Sequence, residues 1–229
     1  MTTEAATLDP HLRENPLFRR VIFTGKMRSG KDYISEKLGL TVLPLAEPLY
    51  EICASMLGRC DKGIPSHRLF LQMLGSWGRG EEKPEDPTLP SKAEVIERIT
   101  TRPETLVSEK HIKLPVNWNA FGVPTFWMDI AILKTQAFIK ANPETRISVP
   151  NGRFKNEVEA FQRLGFLHLH IKCSEEERLK RLGPNHHPEH DKDVTEEYAE
   201  FLDHTLLGPT VIWNDHRPVP PNTGWWKMF

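Results

Sequence analysis

The residues with the clearest chemical purpose lie between Val21 and Leu38, in the order VIFTGKMRSGKDYISEKL. An apolar run, Val21-Ile22-Phe23, ends at Thr24. Then Gly25, four residues, Gly30 and Lys31 lead into a helical pattern through Ile34 and Leu38. This is the spacing G-x-x-x-x-G-K between a strand and a helix, which cradles the phosphates of a nucleoside triphosphate. Each residue type has a physical reason. Gly25 and Gly30 let the backbone curl until successive N–H groups point at phosphate oxygens, a conformation that a Cβ opposes. The helix that follows adds the positive end of its dipole, and Lys31 reaches the β- and γ-phosphates as a mobile point charge. The expected ATP-contacting set in this stretch is Gly25, Lys26, Met27, Arg28, Ser29, Gly30, Lys31, Asp32 and Tyr33.

One position departs from the general motif. Ser or Thr ordinarily follows the lysine and holds Mg²⁺ through its hydroxyl. Here that residue is Asp32. A carboxylate there could bind the metal directly, bind it through water, or accept a proton from an acceptor hydroxyl. Asp32 is therefore both the candidate metal ligand and a candidate catalytic residue. The competing reading is a glycine-rich turn that binds nothing, with Asp32 only favouring the first turn of the helix.

Further cations could complete such a site. Arg178 and Arg181 sit one turn apart on an expected helix and face the same way, as a lid clamping a transferring phosphoryl group would. They would equally suit a solvated basic face paired with Glu175 to Glu177. Arg153 follows a strand end, the usual place for ligands in open α/β sheets, and its forked guanidinium suits a phosphate. An ion pair with Glu157 is the alternative. Arg68 and Arg79 could hold an acceptor phosphate or serve the surface. Trp118, Phe121, Trp127, Trp225 and Trp226, interleaved with Lys110, Lys113 and Lys227, could stack bases or pack a core. His186, His187, His190 and Asp191 have irregular spacing that fits a solvated loop better than zinc.

Elements must position these residues. The pattern predicts strands at Arg20–Thr24, Leu40–Leu45, Arg146–Val149, Phe166–Ile171 and Val211–Trp213. Helices are expected from Lys31 to about Gly39, from Pro48 through Leu57, through Leu69–Leu74 to near Gly75, and at Lys92–Ile99, Phe126–Ile139, Phe154–Leu164 and Ser174–Leu182. Ser174 with Glu177 reads as a helix cap. His168 and His170 alternate along a strand face. Alternating strands and helices argue a parallel sheet covered on both faces. Segment 80–122, rich in Pro, Glu, Lys and Thr, reads as an insertion with long irregular connections.

Composition limits the remaining classes. With 229 residues, 38% hydrophobic and 27% charged, the chain suits one α/β domain with insertions. A net charge of −1 announces no global field for nucleic acid. Three cysteines without metal spacing read as reduced cytosolic thiols. No apolar run approaches the ~18 residues of a membrane span, and the acidic, polar start is unlike a secretory signal.

The loop TGKMRSGKD resembles that of the phage deoxynucleoside monophosphate kinases, which also carry Lys-Asp. Phosphomevalonate kinases share a similar loop. Further stretches resemble the phage family in the same order: PLAEPLYEICA; FLQMLGSWGR with Gln72, Gly75 and Arg79; RFKNEVEAFQRLG with Arg153, Phe154, Asn156 and Glu157; and VIWND, whose Asn214 would lie beside the adenine. The resemblance implies a P-loop kinase fold: a parallel sheet of about five strands with helices on both faces, an insertion at 80–122 and a lid near 174–195. Residues 1–19 would form an arm, 20–215 the kinase domain and 216–229 an aromatic tail. It implies ATP and Mg²⁺ as cofactors, with Lys31, Asp32, Arg153, Arg178 and Arg181 catalytic and Arg68, Gln72, Arg79, Trp127, Asn151, Arg153 and Glu157 on the acceptor side.

Two departures concern that acceptor side. Asn151 stands where the family usually has an aspartate, and Asp193 where it has a histidine. They suggest a changed acceptor. The leading expectation is a phage enzyme of the host cytosol that phosphorylates 5-hydroxymethyldeoxyuridine in DNA. The alternatives are a deoxynucleoside monophosphate kinase, a nucleotide-binding protein without catalysis and, remotely, a phosphomevalonate kinase. No membrane partner is expected, and the oligomeric state stays open.

Overall fold

The computed structural model describes residues 14–101, 105–107, 113–182 and 210–214. In chain order the elements are β1 (Arg20–Thr24), α1 (Lys31–Lys37), β2 (Thr41–Val42), α2 (Glu47–Leu57), α3 (Pro65–Gly78), α4 (Lys92–Thr100), β3 (Thr105–Val107), β4 (Lys113–Pro115), α5 (Phe126–Ala141), β5 (Ile147–Val149), α6 (Lys155–Arg163), β6 (Leu167–Lys172), α7 (Glu175–Leu182) and β7 (Thr210–Trp213). The protein is α/β. Its main sheet has five strands in the order β2-β5-β1-β6-β7, with every pairing parallel. A separate antiparallel pair joins β3 to β4. Two compact units result: Met1–Leu43 with Glu144–Phe229, and Pro44–Pro143.

The first unit is built on β1, whose Val21, Ile22 and Phe23 have no exposed surface. A central parallel strand is buried on both faces, so its sequence is apolar throughout instead of alternating. On one face Val21 and Phe23 pack with Leu169 and Ile171 of β6, with Ile34 of α1, and with Phe18, Leu38 and Leu40. Leu169 is the register partner of Phe23. On the other face the same register sets Ile22 beside His168 and Thr24 beside His170. Helix α6 buries Val158 and Phe161, and the Phe161 ring meets Phe166 edge-on with centroids 5.1 Å apart.

The second unit holds an aromatic core. Ile52 and Cys53 of α2 and Phe70, Met73, Leu74 and Trp77 of α3 cluster with Val95, Ile99, Trp118, Phe126, Trp127 and Ile130. The Phe126 and Trp127 rings meet at 4.8 Å and Phe70 meets Trp77 at 6.5 Å, both edge-on. Helix α4 starts with a reciprocal cap between Ser91 and Glu94.

Three expectations change. The strand expected over Leu40–Leu45 shortens to Thr41–Val42, both exposed, because β2 is the edge of the sheet and Pro44 cannot extend a ladder. Helix α3 runs on to Gly78, beyond Gly75. Segment 80–122 carries, besides the expected α4, the strands β3 and β4, and the compact unit around it begins already at Pro44. Among the described residues, no helix is long and apolar enough to cross a membrane.

Candidate functional site

Counted along the chain, the five parallel strands lie in the order 2-3-1-4-5, so the connections leave β1 toward both sides. Such a switch point opens a crevice at the carboxyl ends of the strands. A cleft of about 450 Å³ lies there, lined by Gly25, Met27, Arg28, Gly30, Lys31, Asp32, Tyr33, Asn151, Gly152, Arg153 and Arg181.

The loop from Thr24 to Lys31 takes the shape its glycines predict. Gly25 has φ +124° and Gly30 φ +100°. A Cβ at Gly25 would lie 2.1 Å from the Ile171 carbonyl oxygen, and one at Gly30 would lie 1.9 Å from Asn214 Nδ2. Neither position admits a side chain without moving its neighbour. Arg28 is also left-handed, at φ 65°, a conformation costing roughly 1–2 kcal/mol for a residue with a Cβ. Inside the curl, Lys31 Nζ donates to the carbonyls of Gly25 at 2.6 Å and Lys26 at 2.8 Å, and Ser29 N–H donates to the Lys26 carbonyl at 3.1 Å. Ser29 is buried, and its hydroxyl has no hydrogen-bond partner among the described residues.

The turn after β5 forms the opposite wall. Gly152 N–H donates to the Phe23 carbonyl at 3.2 Å, and a Cβ at 152 would meet Ile22 Cδ1 at 3.0 Å. The missing side chain lets the Asn151–Arg153 turn approach the end of β1. Glu157 does not face the cleft as an acceptor ligand would. Its carboxylate accepts from the N–H groups of Arg153 at 2.8 Å and Phe154 at 3.1 Å, capping α6.

The two α7 arginines diverge, which corrects their reading as a joint clamp. Arg178 is buried and holds both oxygens of Glu175, at 2.8 and 2.5 Å, away from the cleft lining. Arg181 reaches the loop instead: its Nη1 donates to the carbonyls of Ser29 at 3.3 Å and Arg28 at 3.5 Å, its Nη2 to the Asn214 carbonyl at 2.7 Å, and its Nε to Glu177 at 3.0 Å. Asn214 Nδ2 donates to the same Ser29 carbonyl at 2.9 Å. Ser174 caps α7 as expected, accepting from Glu177 N–H at 3.3 Å.

The remaining acceptor candidates belong to the second unit. Gln72 is exposed on α3 and Arg68 is half-buried. Arg79 gives Nε and Nη2 to the two oxygens of Glu81, at 2.7 and 2.9 Å. That hydrogen bond holds the Glu81 carboxyl below the usual carboxylate range. Trp127 is a core residue, 9% exposed, with Nε1 donating to the Gly75 carbonyl at 3.0 Å. Its ring packs against Phe121 and Phe126, which leaves no face for a nucleobase.

Among the described residues, no three His, Cys, Asp or Glu side chains gather as a metal cage. Mg²⁺ usually keeps several waters and takes one or two carboxylates plus substrate phosphates. The exposed Asp32 carboxylate and the Asn151 amide, both lining the cleft, fit an ion of that kind brought in by a nucleotide.

Sequence reasoning missed two features of this region. The Pro150-Asn151-Gly152-Arg153 run marks the close of a strand, but no spacing shows that Gly152 lets this turn approach Ile22. A buried network under the loop also escaped notice: Thr24 Oγ1 lies 2.7 Å from His168 Nε2 and 2.8 Å from His170 Nδ1. The alternation of His168 and His170 placed them on one strand face, but only the β1–β6 register brings Thr24 opposite His170, where its hydroxyl reaches both rings. Lys110, Trp225, Trp226, Lys227, His186, His187, His190, Asp191, Asp193, the arm before Glu14 and the lid beyond Leu182 lie outside the described residues. Compared with known proteins, the chain matches no protein-family model and no curated protein.

Proposed function

We propose that this protein is a P-loop kinase that transfers the γ-phosphoryl group of ATP to a nucleotide-type acceptor. The observation that carries the reading is a single cleft at the switch point holding the glycine loop, Lys31, Asp32, Asn151 and Arg153 together. Loop N–H groups and the Lys31 ammonium receive the phosphates, while the Asp32 carboxylate and the Asn151 amide, each through a metal-bound water, would hold Mg²⁺ and leave a carboxylate oxygen of Asp32 free. The metal supplies charge neutralisation on the β- and γ-phosphate oxygens. Arg153 adds a cation on the acceptor side of the same cleft. Positioning and charge stabilisation then do most of the catalysis.

The leading acceptor is the hydroxymethyl group of 5-hydroxymethyldeoxyuridine in DNA. Asp32 supports it: an exposed carboxylate beside Lys31 can take the hydroxyl proton as the new O–P bond forms and the bond to the β–γ bridging oxygen breaks, releasing ADP. A phosphate acceptor needs no such base. The second reading, a deoxynucleoside monophosphate kinase, draws on Arg153, whose guanidinium suits a free nucleotide's phosphate.

The test is transfer from γ-labelled ATP with Mg²⁺ to free deoxynucleoside monophosphates, to DNA containing 5-hydroxymethyluracil and to unmodified DNA. Label on modified DNA alone supports the leading acceptor, and label on monophosphates selects the second. Label on none, with ATP still bound, leaves a nucleotide-binding protein in which Asn151 marks lost catalysis.

A further inference from the structure

Arg181 lines the cleft, yet the donors of its guanidinium are directed to main-chain carbonyls and to Glu177. In a trans peptide plane the carbonyl of one residue and the N–H of the next point in opposite directions. Whatever holds the Ser29 carbonyl therefore aims the Gly30 N–H. Two independent side chains hold that oxygen: Arg181 Nη1 at 3.3 Å and Asn214 Nδ2 at 2.9 Å. They are locked to each other as well, because Arg181 Nη2 donates to the Asn214 carbonyl at 2.7 Å. Glu177, at 3.0 Å from Arg181 Nε, fixes the guanidinium from behind. Lys31 does the same from inside the loop, holding the carbonyls before the Lys26 and Met27 N–H groups. The glycine at 30 belongs to this arrangement, since a Cβ there would collide with the Asn214 amide and sit 3.5 Å from Arg181 Nη1.

We infer that Arg181 and Asn214 are positioning residues, a paired staple on the outer side of the loop that sets its N–H groups for phosphate before any nucleotide arrives. On this assignment Arg181 is not a ligand of the transferring phosphoryl group, and the Asn214 side chain is not a base-reading amide. The inference rests on the nucleotide-binding reading of the same cleft. It predicts that staple variants lose affinity for every phosphate chain, including one without a γ-phosphate.

The full chain and its Arg181→Ala, Arg181→Lys, Asn214→Ala and Arg181→Ala/Asn214→Ala variants are compared in two ways. Amide hydrogen exchange of the peptide spanning 25–31 is followed without nucleotide, and ADP affinity is measured by calorimetry. The expected result is faster exchange in that peptide with melting temperature unchanged, and ADP binding ~10- to 100-fold weaker, the size of a lost charge-assisted hydrogen bond. The double variant should lose little more than the worse single one, because the two side chains act on one carbonyl. Arg181→Lys, which keeps the charge but not the fork, should recover only part of the affinity. Unchanged exchange and unchanged ADP affinity, with only turnover reduced, would overturn the staple and restore Arg181 as a phosphoryl clamp. Slow exchange in wild type that Arg181→Ala speeds up, in a protein that never binds ADP, would keep the staple as loop architecture and overturn the nucleotide reading instead.

Discussion

Lys31 in the first unit and Arg79 in the second are both cations at the junction of a turn and a helix, and they are held in opposite ways. Lys31 Nζ is oriented by the carbonyls of Gly25 and Lys26 at 2.6 and 2.8 Å. Those two contacts are to carbonyl dipoles. Arg79 gives a bidentate fork to Glu81 at 2.7 and 2.9 Å, which matches its geometry and neutralises it. The interiors differ in the same sense. Thr24, Ser29, Ser35, Ser148, His168, His170 and Arg178 are the buried polar residues described in the first unit, whereas the second buries only Ser76 and Thr135 among its described polar residues and is dominated by Phe70, Trp77, Trp118, Phe126 and Trp127. Residue type and spacing can nominate a cation for ligand binding, but its partner decides whether the charge is available.

The largest effect should come from breaking this contrast at its strong end. Lys31→Met is expected to lower kcat/KM about 10²- to 10³-fold with the melting temperature preserved, as loss of a preorganised donor does. Arg79→Met, assayed beside it, should change kcat/KM by no more than about twofold if its charge is already matched by Glu81. Equal losses in the two variants would erase the distinction. In the second unit the matching large effect is on stability. Trp127→Ala should cost about 3–5 kcal/mol in urea unfolding, while Trp127→Phe, which keeps an aromatic ring but leaves a smaller void and loses the bond to Gly75, should cost less, about 1–3 kcal/mol. A Trp127→Ala protein that is stable but has lost acceptor affinity would return Trp127 to the acceptor side that the resemblance implies.

The two regions were also unequally legible. The loop could be read because its chemistry is local: Gly25, Gly30 and Lys31 are set by spacing, and their backbone angles follow from having no Cβ. Strand β1 was legible for the same reason, since an apolar run buried on both faces has few alternatives. The short β2 was over-read, because Leu40–Leu45 has the pattern of a buried strand but Pro44 and an edge position leave only Thr41–Val42. Arg181, Glu157 and Trp127 were nominated for the site, but Arg181 pairs with Glu177 and the loop carbonyls, Glu157 caps α6, and Trp127 packs in a core, as one of its two readings had it. Those partners, the Ser29 carbonyl, the Arg153 N–H and the Gly75 carbonyl, are main-chain groups that no residue code reveals. The β3–β4 pair was missed because strands of three residues carry no periodicity to count.

A smaller effect comes from the polar network buried beneath the loop of the first unit. Thr24 Oγ1 lies within hydrogen-bond distance of two ring nitrogens, at 2.7 and 2.8 Å, and the tautomer of each imidazole sets which partner donates. Thr24→Val keeps the shape and leaves two buried imidazole nitrogens without that partner, which should cost about 1–3 kcal/mol. Replacing all three residues at once, as Thr24→Val with His168→Leu and His170→Leu, should recover part of the loss. Should Thr24→Val instead be neutral in urea unfolding, the network would contribute nothing beyond packing.

The smallest effect sharpens the comparison where it began, at the neutral pair in the second unit. The Glu81 carboxyl sits below its ordinary value of 4.5, chiefly through the hydrogen bond from Arg79. Between the folded and unfolded pKa values the unfolded chain binds more protons, so stability rises with pH through that window. The contribution is complete at neutral pH and disappears as pH falls through the depressed folded pKa. With the Glu81 side chain 52% exposed, solvent screens the pair, and Glu81→Gln should cost only about 0.2–1 kcal/mol at pH 7. The difference between wild type and Glu81→Gln should shrink toward zero as urea unfolding is repeated at successively lower pH below 4.5. A difference that persists unchanged into acid would mean that the Arg79–Glu81 contact acts through shape, and that the charge of Arg79 is not neutralised after all.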